Sequence, residues 1–451
     1  MKIIIIGAGK VGYTLAENLV EENNDVTIID KNVHGIEKVE DNLDVMCIKG
    51  NGVSTKVLLE AGVENADLLI AVTGSDVVNM VCCLTAKKLG VGQTVARGRD
   101  PEYSDELSLI KDQLGVDLVI NPEFAAAEEI ARTLGFSSAI NVERFASGRV
   151  RMVELKVTPT VKFIGKKVKD ISKYTSSSVI LGVIVRGNEV IVPTGDEIIK
   201  QNDLIYVIGK STKVYNFCKV SGKYPDKIKN VMIMGGGRIA YYLYKLLISM
   251  NMNVKIIEID KERCYDLADA LPNALIINSD GTEEEVLLSE NIRNMDSYVA
   301  VTGIDEQNLM SSLIAKKMGV KKVVTKISRT NYIDIVRELG IDSIITPKLT
   351  TTNQILKYAR GNAVESLLKI AGGAVEILEF VVDKHSNIVN KAIKNLEIVD
   401  NTIIATIVRK HGVVIPYGND IIKKGDRIIV ITKQKNISDL KGLEAAITGG
   451  L

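Results

Sequence analysis

The chain has 451 residues, 46% of them hydrophobic and 25% charged, and its 57 basic and 56 acidic side chains leave a formal charge of +1. This length predicts about three domains of ordinary size. The balanced charge excludes the basic surface expected of a nucleic-acid-binding protein. The five cysteines form no C-x-x-C pair, which indicates reduced thiols in a reducing compartment.

The sequence gives no sign of membrane insertion. No uninterrupted apolar run approaches the ~18–20 residues needed to span a bilayer. The apolar run Ile3–Ile6 near the start is too short for a signal peptide. We therefore expect a cytosolic, soluble protein that reaches a membrane only through a partner.

The first thirty residues contain a dinucleotide-binding motif. An isoleucine-rich strand leads into Gly7-Ala-Gly9-Lys-Val-Gly12, and Asp30 ends the next predicted strand. The first glycine permits a tight turn, the second lets the backbone approach a pyrophosphate, and the third lets the following helix pack closely. The start of that helix offers free N–H groups to phosphate. Asp30 is placed to bind a ribose and to disfavour the 2′-phosphate of NADP, although it could also be a helix cap.

The rest of the first 122 residues alternates between helices and strands. Near-continuous apolar strands separated by helices predict a parallel sheet buried on both faces, as in a Rossmann-type domain. After the first strand, the predicted strands are Val26–Ile29, Val45–Ile48, Leu68–Val72, Thr94–Ala96 and Leu118–Ile120. The predicted helices lie near Val11–Glu22, Gly35–Asn42, Ser54–Ala61, Val77–Leu89 and Tyr103–Leu114.

A predicted helix from Glu123 to about Leu134 is followed by a different pattern of secondary structure. Short, partly alternating strands separated by turn signals predict a small α+β module. These strands are Val153–Val157, Val179–Val185, Glu189–Val192 and Leu204–Ile208. The module takes residues 140–221.

The second half of the chain repeats the first, which indicates a duplication. Gly235-Gly-Gly237-Arg-Ile-Ala240 repeats the glycine motif, and Glu258 stands where Asp30 stood. Pro347 likewise repeats Pro122. We therefore expect a first Rossmann domain at 1–122, its module at 140–221, a second Rossmann domain at 228–348 and its module at 366–450, with a polar linker at 222–227 between the halves.

Polar side chains at the ends of the predicted strands are the remaining binding candidates, because ligands of this fold lie at the carboxyl edge of the sheet. Thr73-Gly74 and Thr302-Gly303 follow the fourth strand and could instead be simple turns. Asn51 and Asp280 follow the third strand, near the expected adenosine. Arg97 and Arg99 end the fifth strand, where phosphate contact and a solvated surface pair are equal alternatives. For Asp76 and Asp305, just before helices, N-capping is favoured over ligand contact.

Catalytic machinery is missing from the sequence. The three histidines, His34, His385 and His411, are not repeated between the halves. No Cys/His cluster has metal spacing, and neither a G-x-S-x-G elbow nor a Walker A lysine occurs. A nucleotide site without such groups is typical of a sensor rather than an enzyme. An NAD-dependent oxidoreductase and a nucleotide sensor of a different cation transporter remain alternatives.

These motifs resemble the TrkA family, the peripheral NAD-binding subunits of Trk-type potassium uptake systems, which contain two RCK domains in tandem. The resemblance rests on Met1–Gly12, Asp67–Thr73, Asp76-x-x-Asn79 and their repeats, and it covers nearly the whole chain. It implies an α/β fold with two Rossmann-type parallel-sheet domains, each followed by a small α+β RCK-C module.

The resemblance also implies a regulatory role and partners. A cytoplasmic homo-oligomer, dimer or tetramer, would attach to the inner face of the cell membrane through a potassium-translocating subunit of the TrkH or TrkG type. NAD(H), with ATP or ADP as further candidates, would change its conformation and so open or close the pore.

The motifs and the resemblance together define two candidate nucleotide sites. The first consists of Gly7, Ala8, Gly9, Lys10, Val11, Gly12, Asp30, Asn51, Thr73, Gly74 and Arg97. The second consists of Gly235, Gly236, Gly237, Arg238, Ile239, Ala240, Glu258, Asp280 and Thr302. Lys326 stands where Arg97 does.

Overall fold

The computed structural model describes residues 1–101, 113–136, 139–175, 177–221, 227–359, 364–384, 386–410, 412–434, 437 and 442. The chain forms two compact units, one from Met1–Ala131 with Lys229–Ala359 and one from Arg132–Ile228 with Arg360–Leu451. Most of the predicted helix near Tyr103–Leu114, the start of the predicted linker, His385 and His411 lie outside the described residues.

The first Rossmann domain contains a six-stranded parallel sheet with strand order β3-β2-β1-β4-β5-β6. Its strands are β1 (Lys2–Ile6), β2 (Asp25–Asp30), β3 (Met46–Lys49), β4 (Leu68–Ala71), β5 (Gln93–Arg97) and β6 (Leu118–Ile120), and its helices are α1 (Lys10–Glu21), α2 (Val33–Glu40), α3 (Thr55–Glu60), α4 (Asp76–Leu89) and α5 (Pro122–Leu134). Because the strand order reverses beside β1, a crevice opens at the carboxyl ends of β1 and β4. The glycine motif begins there.

Burial of β1 explains why an isoleucine run starts the domain. Ile3–Ile6 are at most 2% exposed, since helices cover both faces of the sheet. Each fully buried isoleucine side chain contributes about 1.5–3 kcal/mol to folding. Leu15 and Leu19 bring the buried face of α1 onto the sheet. The strand therefore fixes the position of the loop that follows it.

The first C-terminal module is a five-stranded antiparallel sheet with order β10-β9-β11-β8-β7. Its elements are β7 (Asn141–Phe145), β8 (Val150–Lys156), α6 (Ile171–Thr175), β9 (Ile180–Arg186), β10 (Glu189–Ile191), β11 (Leu204–Lys210) and α7 (Ser211–Val220). The strand β7 was not predicted from the sequence, and it pairs with β8 across a turn of four residues.

The second Rossmann domain repeats the parallel sheet, with order β14-β13-β12-β15-β16-β17. Its strands are β12 (Asn230–Met234), β13 (Asn253–Glu258), β14 (Leu275–Asn278), β15 (Ser297–Ala300), β16 (Lys322–Lys326) and β17 (Ser343–Ile345), and its helices are α8 (Arg238–Ser249), α9 (Lys261–Ala270), α10 (Glu284–Ser289), α11 (Asp305–Lys317), α12 (Ile333–Glu338) and α13 (Pro347–Ala359).

The second C-terminal module has sheet order β18-β19-β22-β20-β21. These strands are β18 (Val364–Ile370), β19 (Val375–Val381), β20 (Thr402–Arg409), β21 (Gly412–Val414) and β22 (Arg427–Thr432). Ile377 and Ile431 of this module belong to a buried hydrophobic cluster that also contains Phe145 of the first module. The buried Glu379 accepts a hydrogen bond from the N–H of Ala146 at 3.1 Å. The two small modules thus bury one common core.

These elements confirm the predicted fold class: two Rossmann-type parallel-sheet domains and two modules with antiparallel sheets. His34 is exposed in α2. None of the helices in the described part of the chain combines the length and apolar character needed to cross a membrane.

Candidate functional site

The first glycine loop has the geometry that its three glycines predict. Gly7 has a φ of +111°, in the region that favours glycine. A Cβ on Gly12 would lie 1.8 Å from the carbonyl oxygen of Gly7, so this position allows α1 to pack against the loop. A Cβ on Gly9 would meet nothing within 4 Å, so the backbone there is open to a ligand.

The start of α1 is suited to an anion. Its N-cap residue is Gly9, and no side chain in the described part of the chain caps it. By contrast, Asn32 caps α2 by accepting a hydrogen bond from the N–H of His34. The first N–H groups of a helix need an acceptor, and a phosphate supplies one together with the charge that the helix dipole favours. The second loop has the same arrangement at Gly237 and α8.

Asp30 and Glu258 hold the two glycine loops. Asp30 accepts hydrogen bonds from the N–H groups of Ala8 at 2.6 Å and Asn32 at 2.8 Å. Glu258 accepts from the N–H groups of Gly236 at 2.5 Å and Asp260 at 2.8 Å. The helix-cap alternative is wrong for Asp30, because Asn32 occupies that position. A carboxylate has about four acceptor sites, so each still has room for ribose hydroxyls.

A cavity of about 750 Å³ is lined by residues of both glycine loops and therefore by both Rossmann domains. This volume is in the usual range for a small-molecule site. The sequence-predicted residues that line it are Gly7, Gly9, Lys10, Val11, Asp30, Asn51, Thr73, Gly74, Arg97, Gly237, Arg238 and Ile239. The open glycine, the uncapped helix and the carboxylate together fit a dinucleotide.

Eight predicted residues do not line this cavity: Ala8, Gly12, Gly235, Gly236, Ala240, Glu258, Asp280 and Thr302. Ala8, Gly12, Gly235, Gly236 and Ala240 shape the loops instead, and a φ of +98° at Gly235 repeats the turn at Gly7. The side chain of Asp280 accepts hydrogen bonds from the N–H and hydroxyl of Thr282, within its own turn. The predicted set therefore divides into lining residues and residues that position the backbone.

Asn79 and Asn308 position the loops after the fourth strands, a role that the sequence analysis missed. Asn79 is fully buried, and its Oδ1 accepts from the N–H of Thr73 at 2.8 Å and from its hydroxyl at 2.7 Å. Its Nδ2 donates to the carbonyl of Arg97 at 2.9 Å. Asn308 makes the same bonds to Thr302 and Lys326. The repeated Asp-x-x-Asn motif was the signal for this role.

The N-capping predicted for Asp76 and Asp305 is wrong. Ser75 caps α4, and Ile304 occupies the N-cap position of α11. Asp76 instead accepts from the N–H of Arg99 at 2.7 Å, because the chain leaving β5 presents free N–H groups to it. Asp305 does the same for Ser328, at 3.0 Å. Each aspartate thus joins the start of a helix to the chain after the fifth strand.

The cations at the ends of the fifth strands lie in the cavity. Arg97 donates from its guanidinium to the carbonyl of Thr73, and its buried Nε has no hydrogen-bond partner among the described residues. Lys326 donates to the carbonyl of Thr302 at 2.7 Å. Burial lowers the pKa of both groups. Arg99, the alternative phosphate contact, does not line the cavity and is bonded to Gly74 and Asp76.

Two further lining residues come from the starts of α5 and α13. Glu123 and Lys348 follow the matched prolines, and both line the cavity. Asn121, just before α5, donates to the hydroxyl of Tyr242 in α8 at 2.8 Å. The ring of Phe124 packs edge-on against Tyr242, with 5.4 Å between centroids. The start of α5 thus contacts the second Rossmann domain at Tyr242. In the other direction, α13 of the second domain packs against α1 of the first.

Comparison with known proteins identifies the family. The TrkA-N domain family matches residues 3–122 and 231–347, and the TrkA-C domain family matches residues 152–222 and 377–443. The chain is 38% identical to Trk system potassium uptake protein TrkA homolog 1 of Methanosarcina mazei, over 98% of this chain and 99% of that protein. It is 34% identical to Trk system potassium uptake protein TrkA of Vibrio alginolyticus, over 98% of each.

A solved structure shows the same fold. The GsuK channel bound to NAD aligns with a TM-score of 0.62 at 17% identity, over 99% of this chain and 79% of that one. The relatives carry the names of uptake proteins and not of enzymes, in agreement with the prediction that the chain is not an enzyme. The matches to both domain families and to full-length relatives show that the chain belongs to the TrkA family.

Proposed function

We propose that the protein is the nucleotide-binding regulatory subunit of a potassium uptake system and that it controls potassium flow through a membrane translocation subunit. The observation that carries this proposal is the cavity at the first glycine loop, which is lined by residues of both Rossmann domains. A ligand bound there touches two domains at once. The names of the relatives and the NAD of the GsuK structure support the same role.

The ligand that we propose is NAD(H), with ADP or ATP as competitors. The uncapped start of α1 and the open backbone at Gly9 would receive the pyrophosphate. Asp30 would accept the ribose hydroxyls, and Asn51 would lie at the adenosine. Lys10 and Arg97 would offset the charge of the phosphates. The other predicted residues of the two sites would hold the loop backbones in position.

A nucleotide can regulate only if it binds two conformations with different affinity. A cavity between two domains meets this requirement, because a change in the domain arrangement moves half of the ligand's contacts away from the other half. Nucleotides that differ in length or charge would therefore favour different arrangements. We propose that a homo-oligomer, dimer or tetramer, passes this change to a translocation subunit of the TrkH or TrkG type.

Potassium flux through the cognate membrane subunit in proteoliposomes tests the proposal. The flux is measured with and without this protein while NAD, NADH, ADP and ATP are varied, and Lys357→Gln serves as a control variant outside the cavity. We expect flux to depend on both the protein and the nucleotide. Nucleotide-independent flux would contradict regulation. Oxidation of NADH with a small carbonyl substrate would favour an oxidoreductase, and co-purification with the transporter of another cation would favour a different sensor.

A further inference from the structure

The cavity carries an excess of positive charge that the glycine motif alone does not supply. Six basic side chains and two carboxylates line it. One of these carboxylates, Asp30, is already bonded to two backbone N–H groups. Charges of one sign in a partly buried cavity repel one another, so an anionic ligand would relieve the repulsion.

Lys348 is a basic residue of the second domain that lines the cavity beside the first glycine loop. It stands at the second position of α13, which packs against α1. Burial lowers the pKa of Lys348, and of the two charges in α1 that act on its ammonium group Glu17 raises the pKa and Lys10 lowers it. A lysine that is partly buried beside another lysine gains when a phosphate binds, because the phosphate offsets both the burial and the repulsion.

The equivalent position in the first domain holds Glu123, an acid. Its Oε2 atom is buried and has no hydrogen-bond partner among the described residues. Burial raises the pKa of Glu123, and its backbone hydrogen bond and the charges of Arg99, Arg97 and Arg238 oppose this shift. Arg238 belongs to the second glycine loop. A carboxylate at this place disfavours a phosphate at the second loop.

Two more exchanges work in the same direction. Ile259 of the second domain stands where the first has Lys31, and Asp280 stands where the first has Asn51. Each exchange lowers the charge by one, and the exchange of Lys348 for Glu123 lowers it by two. The second site is therefore four charges more negative than the first, although Lys10 and Arg97 are matched by Arg238 and Lys326.

We propose that Lys348 of the second Rossmann domain is a phosphate-binding residue of the first nucleotide site, and that Glu123 weakens phosphate binding at the second. This inference rests on the proposed nucleotide-binding function and names a specificity determinant for it. The ligand class is a nucleotide with two or more phosphates. Such a ligand would contact both domains at the first site.

Calorimetric titration of the full-length protein with ADP and with adenosine tests the role of Lys348. Lys348→Gln should weaken ADP binding about tenfold, as expected for the loss of one hydrogen bond between charged groups. Adenosine binding should stay unchanged, because adenosine carries no phosphate. Lys348→Arg should retain the ADP affinity. Lys357→Gln, which removes an exposed lysine from the last turn of the same helix, is the matched control.

The role of Glu123 is tested in a variant whose first glycine loop is disrupted by Gly12→Ala. In this variant, the further change Glu123→Gln should strengthen the remaining ADP binding. Wild-type ADP affinity in Lys348→Gln, or an equal loss of adenosine affinity, would overturn the inference while the proposed function stands. A wild-type protein that bound neither ADP nor NADH would overturn both. Thermal unfolding of each variant shows whether a loss of binding reflects a loss of folding.

Discussion

The two Rossmann domains share one backbone plan and differ in the side chains at their glycine loops. Asp30 and Glu258 hold their loops with matching pairs of hydrogen bonds, and Asn79 and Asn308 do the same after the fourth strands. These shared parts position the backbone. The differences lie in charge and in loop packing. Duplication has therefore kept the residues that shape the loops and changed the charged residues around them.

The second loop is held more firmly than the first. The Nε of Arg263 donates to the carbonyl of Gly236 at 2.8 Å. The first domain has Gly35 at the equivalent place, where even a Cβ would lie only 3.3 Å from that of Ala8. The second motif also ends in Ala240, so its helix leaves room for a Cβ that the first does not. The first loop therefore depends on its third glycine, Gly12, where a Cβ has no room.

Gly12→Ala is the change with the largest expected effect on this comparison. The new Cβ would lie 1.8 Å from the carbonyl oxygen of Gly7, so the loop must move. Strain of about 1–3 kcal/mol corresponds to a loss of NADH affinity of about 10–100-fold. Calorimetry measures this loss. The matched variant Ala240→Gly should leave first-site binding intact, and an equal effect of both variants would show that the two loops are equivalent after all.

Alanine at Asn79 or Asn308 should have the same effect in either domain. Each change leaves buried backbone groups of a strand-end loop without a partner, at a cost of about 2 kcal/mol in the free energy of unfolding. Denaturant or thermal unfolding measures the loss. Asn273→Ala, at an exposed position, is the control and should unfold like the wild type. A clearly smaller loss for Asn308→Ala would mean that the second loop is supported in another way.

Asp30→Ala should weaken NAD(H) binding about tenfold, because ribose hydroxyls lose a charged acceptor and the N–H of Ala8 loses its partner. Calorimetric titration gives the affinity. Glu258→Ala changes the matching carboxylate of the second domain and should have little effect on NAD(H) binding at the first site. Unchanged NAD(H) binding by Asp30→Ala would remove Asp30 from the site.

Sequence patterns were sufficient for the parts of the fold that repeat locally. Apolar runs between helical segments predicted the parallel sheets, and the repeated glycine motif and matched residues predicted the duplication. The strand Asn141–Phe145 was missed because only Val142 and Phe145 are fully buried along it, so its pattern is weak. Asp76 was assigned to the wrong role because its partners lie more than twenty positions away.

The composition of the cavity could be predicted only for one domain at a time. Gly7–Gly12 and Asp30 are close in sequence, and their spacing carries their role. Lys348 and Lys10 are separated by most of the chain, and only the packing of α13 against α1 brings them together. The matched prolines marked the starts of both helices. Nothing in the sequence showed that each helix extends onto the other domain.

Proton uptake on binding is the smallest effect, and it distinguishes Lys348 from Glu123 by the pH range in which it occurs. In the protein without ligand, burial lowers the pKa of Lys348 and Lys326 below the ordinary lysine value of 10.5. A bound phosphate raises these pKa values again, so binding takes up protons in the alkaline range. Affinity should be full below the lowered pKa values and fall as the pH rises through them.

Calorimetry in buffers with different ionisation enthalpies measures this uptake. Lys348→Gln should reduce the number of protons taken up, since one of the titrating groups is gone, and Lys357→Gln should not. At the second site Glu123, whose pKa is raised by burial, titrates in addition to Lys326. A nearby phosphate raises the pKa of Glu123 further, so the proton uptake by Glu123 belongs to the acid range and disappears in Glu123→Gln. Alkaline uptake that persists unchanged in Lys348→Gln would mean that this lysine does not meet the phosphate.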